Sequence, residues 1–171
     1  MPVQFTNYSV QVTQEMEDIC IAWLHETAQE YTSQVKRNCK MTSEDNGRLK
    51  GSYGNIVDEE KKEAYIGTHL ESGYWEEFGT GEYADTAKNG GKQGRQGWWV
   101  YVKDGPAGDG GESYATEEEA KAVAESMRLD GLDAYHTNGR QPNYTIEKAG
   151  KRLANPARKR LEDMLKEGTK K

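Results

Sequence analysis

No stretch of this chain comes near the ~20 consecutive apolar residues that a membrane-spanning helix needs, so no membrane partner is expected. Residues 1–10, MPVQFTNYSV, have neither a basic n-region nor an apolar h-region, so no signal peptide is expected either. Cysteine is scarce. Cys20 and Cys39 lie nineteen steps apart in one predicted helix; at ~1.5 Å per step that is roughly 28 Å, beyond disulfide reach. This favours folding in a reducing cytoplasm. Histidine is scarce too. His25, His69 and His136 lie far apart, and none has a second His, Cys or carboxylate at metal-ligand spacing. No metal or other cofactor is expected. A surplus of positive charge is also missing: the formal net charge of −6 does not suit a protein whose main task is to coat DNA.

The 171 residues suffice for a single domain with a real core, and not comfortably for two. At 34% hydrophobic and 30% charged, that core is lean, which points to a subunit that gains stability from neighbours. Glycines, 19 in all, concentrate between Gly79 and Gly111 and mark long irregular loops. Basic residues outnumber acidic ones from Lys148 onward. Lys88, Lys92 and Arg95 occupy a loop without acids. The plain reading of both is solvated surface.

Periodicity organises the rest. Val12, Met16, Ile19, Cys20, Trp23, Leu24, Ala28, Tyr31 and Val35 recur at three- and four-residue steps, predicting one helix over 11–41. Turn formers at 42–47 end it. Leu49–Asp58 and Glu63–Leu70 read as a hairpin of two strands around a charged DEEKK turn. Ser72 is placed to cap a short helical turn running to Phe78, and 82–97 is a glycine-rich loop. WWVYVKD at 98–104 is the clearest strand. Beyond GPAGDGG, Thr116 and Glu119 form a capping box before a helix that buries Ala120, Val123, Ala124 and Met127. Gly131 stops it, and LDAYHT is a further strand, so 98–137 reads as an inserted strand–helix–strand unit. Thr145 caps a last helix with Ile146, Ala149, Leu153, Ala157, Leu161, Met164 and Leu165 on its apolar side, and Pro156 predicts a kink or break in it. The expected class is α+β: long N- and C-terminal helices packed on a mostly antiparallel sheet.

GYWEEFGTGEYA at 73–84 gathers aromatics, two carboxylates and a Gly-Thr-Gly turn. Adjacent Glu76 and Glu77 point in different directions and cannot straddle one scissile bond. The glycines match neither a dinucleotide fingerprint nor a phosphate loop. No serine sits in a G-x-S-x-G context, and Cys20 reads as a small packing hydrophobe. No catalytic constellation emerges. The aromatics Tyr74, Trp75, Phe78, Tyr83, Trp98 and Trp99 instead suit interface anchors or a core beneath a loop.

The order of pieces then becomes informative. A G-x-L-x-x-S segment (Gly47, Leu49, Ser52) precedes a string of Ile66, Gly67, Thr68, Tyr74, Trp75, Glu77, Phe78, Gly79, Thr80 and Gly81. Arg140, Pro142 and Asn143 then approach the last helix. This resembles the small tail-component family of long-tailed bacteriophages, the tail-completion, head–tail joining or minor capsid proteins. The likeness covers most of the chain, with E-F-G-T-G its specific part. The sequence departs from the commoner pattern at Trp75 and Glu76, where a hydrophobic pair is usual, and lacks the usual Ala after Tyr74. The resemblance implies a non-catalytic virion subunit, folded in the host cytoplasm, that forms a ring with sixfold symmetry the expectation. Its implied partners are its own copies, the connector or head-closure protein, and the tail-terminator or tail-tube protein. Genomic DNA would pass without being read. The expected subunit-interface residues are Tyr74, Trp75, Glu77, Phe78, Gly79, Thr80 and Gly81. Two alternatives stand beside it: a phage-associated cell-wall hydrolase using Glu76 or Glu77, and a DNA-binding accessory protein resting on the basic C-terminal helix.

Overall fold

A computed structural model describes residues 9–40, 47–92, 94–103 and 111–168, with side chains from Thr13 onward in the first helix. The predicted turn at 42–46 and most of the GPAGDGG loop lie outside the described residues. The chain is α+β and packs as two compact units: the described residues of 1–70 and 145–171 form one, and Glu71–Tyr144, inserted in sequence, form the other. The second unit holds both the 82–97 segment and the strand–helix–strand segment 98–137.

In the first unit, helix α1 (Ser9–Asn38) lies along helix α5 (Thr145–Gly168). The predicted stripe supplies the seam, with Ala28 and Val35 buried, while Met16 at its start is 41% exposed. Polar ties fix the pairing. Trp23 Nε1 donates to Ala157 O at 2.8 Å, and Tyr31 Oη donates to Ile146 O at 3.2 Å. Arg160 Nη2 meets Glu30 Oε2 at 2.7 Å and Thr27 Oγ1 at 3.1 Å. Pro156 does not break α5, which runs unbroken past it; a proline costs one N–H donor and crowds one carbonyl, and the packed face of Ala149, Leu153 and Ala157 outweighs that. Cys39 lies just past the end of α1, buried beside Val35, Leu49, Tyr53 and Ala149 in this unit's core, and both cysteines are free thiols.

The strand expected from Leu49 starts later. Arg48–Ser52 forms a helical turn, α2, preceded by Gly47 in a left-handed conformation. Gly51 N–H donates to Gly47 O at 2.8 Å and Ser52 Oγ to Leu49 O at 2.7 Å. The four-residue spacing of Leu49 and Tyr53, both buried, is a helical spacing that β-propensity alone misreads. Strands β1 (Gly54–Asp58) and β2 (Glu63–Gly67) then pair antiparallel, with Ile56 opposite Tyr65. Asn55 Nδ2 donates to Thr32 Oγ1 of α1 at 3.0 Å.

In the second unit, helix α3 (Glu71–Phe78) leads into strand β3 (Thr80–Gly81), and Ser72 lies inside the helix rather than capping it. Strand β4 (Trp99–Val102) pairs antiparallel with β5 (Ala134–Thr137), and β3 pairs antiparallel with β6 (Gly139–Arg140). Helix α4 (Glu117–Leu129) carries the expected capping box between Thr116 and Glu119. Its Ala120 and Ala124 pack on Val100 and Ala134. The antiparallel expectation holds, but among the described residues the strands form three separate two-stranded pieces rather than one sheet.

Candidate functional site

The E-F-G-T-G segment sits where the inserted unit begins and meets the stretch where that unit ends. Helix α3 presents Glu76 inward, and its carboxylate is wholly buried. Glu76 Oε1 accepts from Asn143 Nδ2 at 2.8 Å, and Oε2 lies 2.8 Å from Arg140 Nη2 as an ion pair. Backbone bonds run in parallel: Asn143 N–H donates to Glu76 O at 2.9 Å, and Tyr144 N–H to Glu77 O at 3.2 Å. A buried carboxylate persists when a cation and hydrogen bonds replace its lost water, and 140–143 provides both.

Gly79 ends the helix. Its φ of +74° is left-handed, and its N–H donates to Trp75 O at 2.8 Å, the arrangement glycine favours beyond a helix C-terminus. A Cβ here would sit 2.6 Å from Arg140 O and 2.9 Å from Pro142 Cδ. Gly81, at φ +61°, is tighter still: a Cβ would lie 2.2 Å from Asn138 O and 2.6 Å from the Trp99 ring. The glycines thus admit a backbone-to-backbone crossing that side chains would prevent.

A second anchor joins the same crossing. Tyr144 takes a left-handed φ of +50°, and its hydroxyl donates to Asp85 Oδ2 at 2.7 Å. Asp85 N–H in turn donates to Phe78 O at 2.8 Å. The Tyr144 hydroxyl first, then the Lys88 and Ala87 backbone N–H groups and the Lys88 charge, hold the Asp85 carboxyl below its ordinary value of 3.8 against the opposing effect of desolvation. The Lys88 ammonium lies 4.3 Å from the Tyr144 ring centroid.

The expected interface residues divide by accessibility. Tyr74 is 36% exposed, while Trp75, Phe78 and Thr80 are half-buried. The Tyr74 and Phe78 rings contact each other along α3, tilted by 57° with centroids 5.0 Å apart. Glu77, Gly79 and Gly81 are buried within the chain's own fold. The structure also brings in partners that sequence reasoning did not join to the motif: Arg140 and Asn143 to Glu76, and Asp85 to Tyr144. Arg140, Pro142 and Asn143 stand out in sequence as part of the resemblance, but nothing in the sequence pairs them with Glu76.

Neither glutamate of the motif is open to a substrate. Glu76 is inaccessible, and Glu77 is only 7% exposed. A groove of about 410 Å³ in the first unit is lined by Trp23, Thr27, Tyr31, Leu153, Ala157 and Arg158 among others, with no carboxylate, histidine or cysteine. Among the described residues no group of three His, Cys, Asp or Glu side chains is disposed to hold a metal ion, and no helix is long and apolar enough to cross a membrane. No family model, curated protein or solved structure matches this chain.

Proposed function

We propose that this chain is a non-catalytic structural subunit of a long-tailed bacteriophage, acting as a ring-forming tail-completion or head–tail joining protein. The observation that carries the reading is the crossing of 76–81 with 139–144. The segments that carry the resemblance, far apart in sequence, are interlocked by the close approach of Gly79 to Arg140 and Pro142 and by the Tyr144 N–H to Glu77 O bond. Glu76, where the sequence departs from the commoner pattern, adds its pairing with Arg140 and Asn143. A motif used as scaffold is what an architectural protein needs, and it leaves Tyr74, Trp75 and Phe78 with surface for a neighbour. A ring requires two different patches on each subunit that close after a fixed number of copies; the α3 aromatics form one, and the 85–97 segment or α5 the other. The neighbours along the particle axis are the connector or head-closure protein and the tail-terminator or tail-tube protein.

Burial of both glutamates weighs against the hydrolase alternative. Peptidoglycan cleavage by the purified chain that Glu76→Gln or Glu77→Gln abolishes would restore it. Gold-labelled antibody against this chain on negatively stained particles tests the placement directly. Label at the neck or tail end is expected, and particles that lack the chain would remove the proposal.

A further inference from the structure

The basic C-terminal helix is a poor site for a polyanion, because many of its charges are already answered. Lys151 pairs with Glu147, Arg158 with Glu162, Arg160 with Glu30 and Lys166 with Asp163. Residues 86–103 differ. They contain Lys88, Lys92, Arg95 and Lys103 and no acidic residue, in a chain of net charge −6. In this stretch cations lie over rings. Arg95 sits 5.3 Å from the Trp99 ring centroid, and Lys92 5.3 Å from that of Tyr74.

The same stretch runs into β4. Trp99 and Tyr101, two residues apart, share one face of the β4–β5 pair, and Tyr135 stands directly opposite Tyr101 on that face. The Tyr101 and Tyr135 rings stack at 5.6 Å with an interplanar angle of 26°. Both remain exposed, at 37% and 41%. The opposite face is the one that buries Val100 and Ala134 against α4. One side of the sheet is therefore core, and the other is an aromatic surface, with Arg95 lying over Trp99 and Lys103 just past the end of β4.

We propose that this outer face of β4–β5 binds single-stranded nucleic acid. Bases stack on the Tyr101–Tyr135 pair, and Arg95 and Lys103 meet the phosphates. Every base has a π-face, so stacking on such a platform is sequence-tolerant, and flanking cations follow the backbone. Lying over the Trp99 ring pre-orders Arg95. Arg95 is further fixed by Nε donating to Ser113 Oγ at 3.0 Å and Nη2 donating to Gly111 O, which leaves its remaining N–H donors for phosphate oxygens. An exposed aromatic pair selects single strands over duplex, whose bases are already stacked. Asp133, whose carbonyl accepts from Lys103 N–H at 2.8 Å, and Asp104, next in sequence to Lys103, are the acids at the far end and limit the strip there. This binding does not depend on ring formation, so a monomer shows it equally.

Fluorescence anisotropy of a labelled oligothymidylate with the full chain tests it. Expected is saturable binding that weakens with salt, the logarithm of affinity falling by about 0.7 per phosphate contact for each tenfold rise in salt. Tyr101→Ala or Tyr135→Ala weakens binding roughly 5- to 150-fold. Tyr101→Phe keeps it, since the ring remains, and guards against reading a folding defect as lost stacking. Arg95→Gln with Lys103→Gln lowers affinity and flattens the salt slope. Four results overturn the proposal. These are no binding, equal binding of duplex or heparin, binding indifferent to the loss of either tyrosine ring, and Arg95 and Lys103 variants that change oligomer size on native mass spectrometry while oligonucleotide affinity stays the same.

Discussion

Glu76 and Arg140 form a pair of unequal exposure: the carboxylate is wholly buried, whereas the Arg140 side chain is 36% exposed. The two halves should therefore respond differently to substitution. Arg140→Ala removes the guanidinium that neutralises a buried carboxylate and should destabilise by roughly 3 kcal/mol. Glu76→Gln keeps an acceptor for Asn143, and Arg140 can turn toward water, so about 1 kcal/mol is expected. Urea unfolding of both variants checks the order, and a costlier Glu76→Gln would contradict it. Asp85 gives a pH test. A carboxyl held below its ordinary 3.8 contributes stability that is fully present above that value and lost as pH falls through the folded-state value. Tyr144→Phe removes the largest cause, so the Asp85 midpoint followed by NMR should rise toward 3.8, and an unmoved midpoint would contradict the assignment. Neither pairing is legible in the sequence. Side chains 64 and 59 positions apart meet only because the backbone crosses, and periodicity reports only local neighbours.

At the scale of the element, Gly79 is both the helix stop and the point of closest backbone approach. Gly79→Val combines a left-handed φ with a Cβ driven to 2.6 Å from a backbone oxygen. It should prevent folding of the second unit, a loss well beyond the ~1 kcal/mol of a purely conformational effect. Proteolysis that cuts first within 71–144 would show this, and an unchanged digestion pattern would count against it. Pro156 offers the opposite sign. It is exposed inside an unbroken α5, so Pro156→Ala should restore a helical hydrogen bond and stabilise by about 1–3 kcal/mol, measurable as a rise in Tm. Elements with strong local signals were readable in advance: the α1 stripe, the Thr116–Glu119 capping box of α4, and the WWVYV strand. Those set by long-range packing were not. Leu49–Ser52 has no strong signal of its own beside the strand formers Tyr53, Ile56 and Val57, yet turns helically to bury Leu49 and Tyr53, and the small strands find separate partners because the pairing choice is non-local.

For the whole molecule, the composition and the insertion bear on one question. A lean hydrophobic fraction of 34% is spread over two compact units, and each has a small buried cluster of its own. Small cores are marginal alone, and assembly would add what each lacks. Phe78 and Trp75 are only half-buried at the start of the inserted unit, on the helix whose inward face is occupied by Glu76. That geometry separates folding from assembly: Glu76, Gly79 and Arg140 hold the unit together, while Tyr74 and Trp75 are available to a neighbour. The α+β class was legible from periodicity. The ring is an expectation of the resemblance. Native mass spectrometry of the purified chain over a concentration series addresses it most directly. A closed oligomer of fixed stoichiometry, sixfold by expectation, is predicted, and Tyr74→Ser with Trp75→Ser should reduce it to monomer with the circular dichroism spectrum intact. A chain that stays monomeric at every concentration would contradict the account.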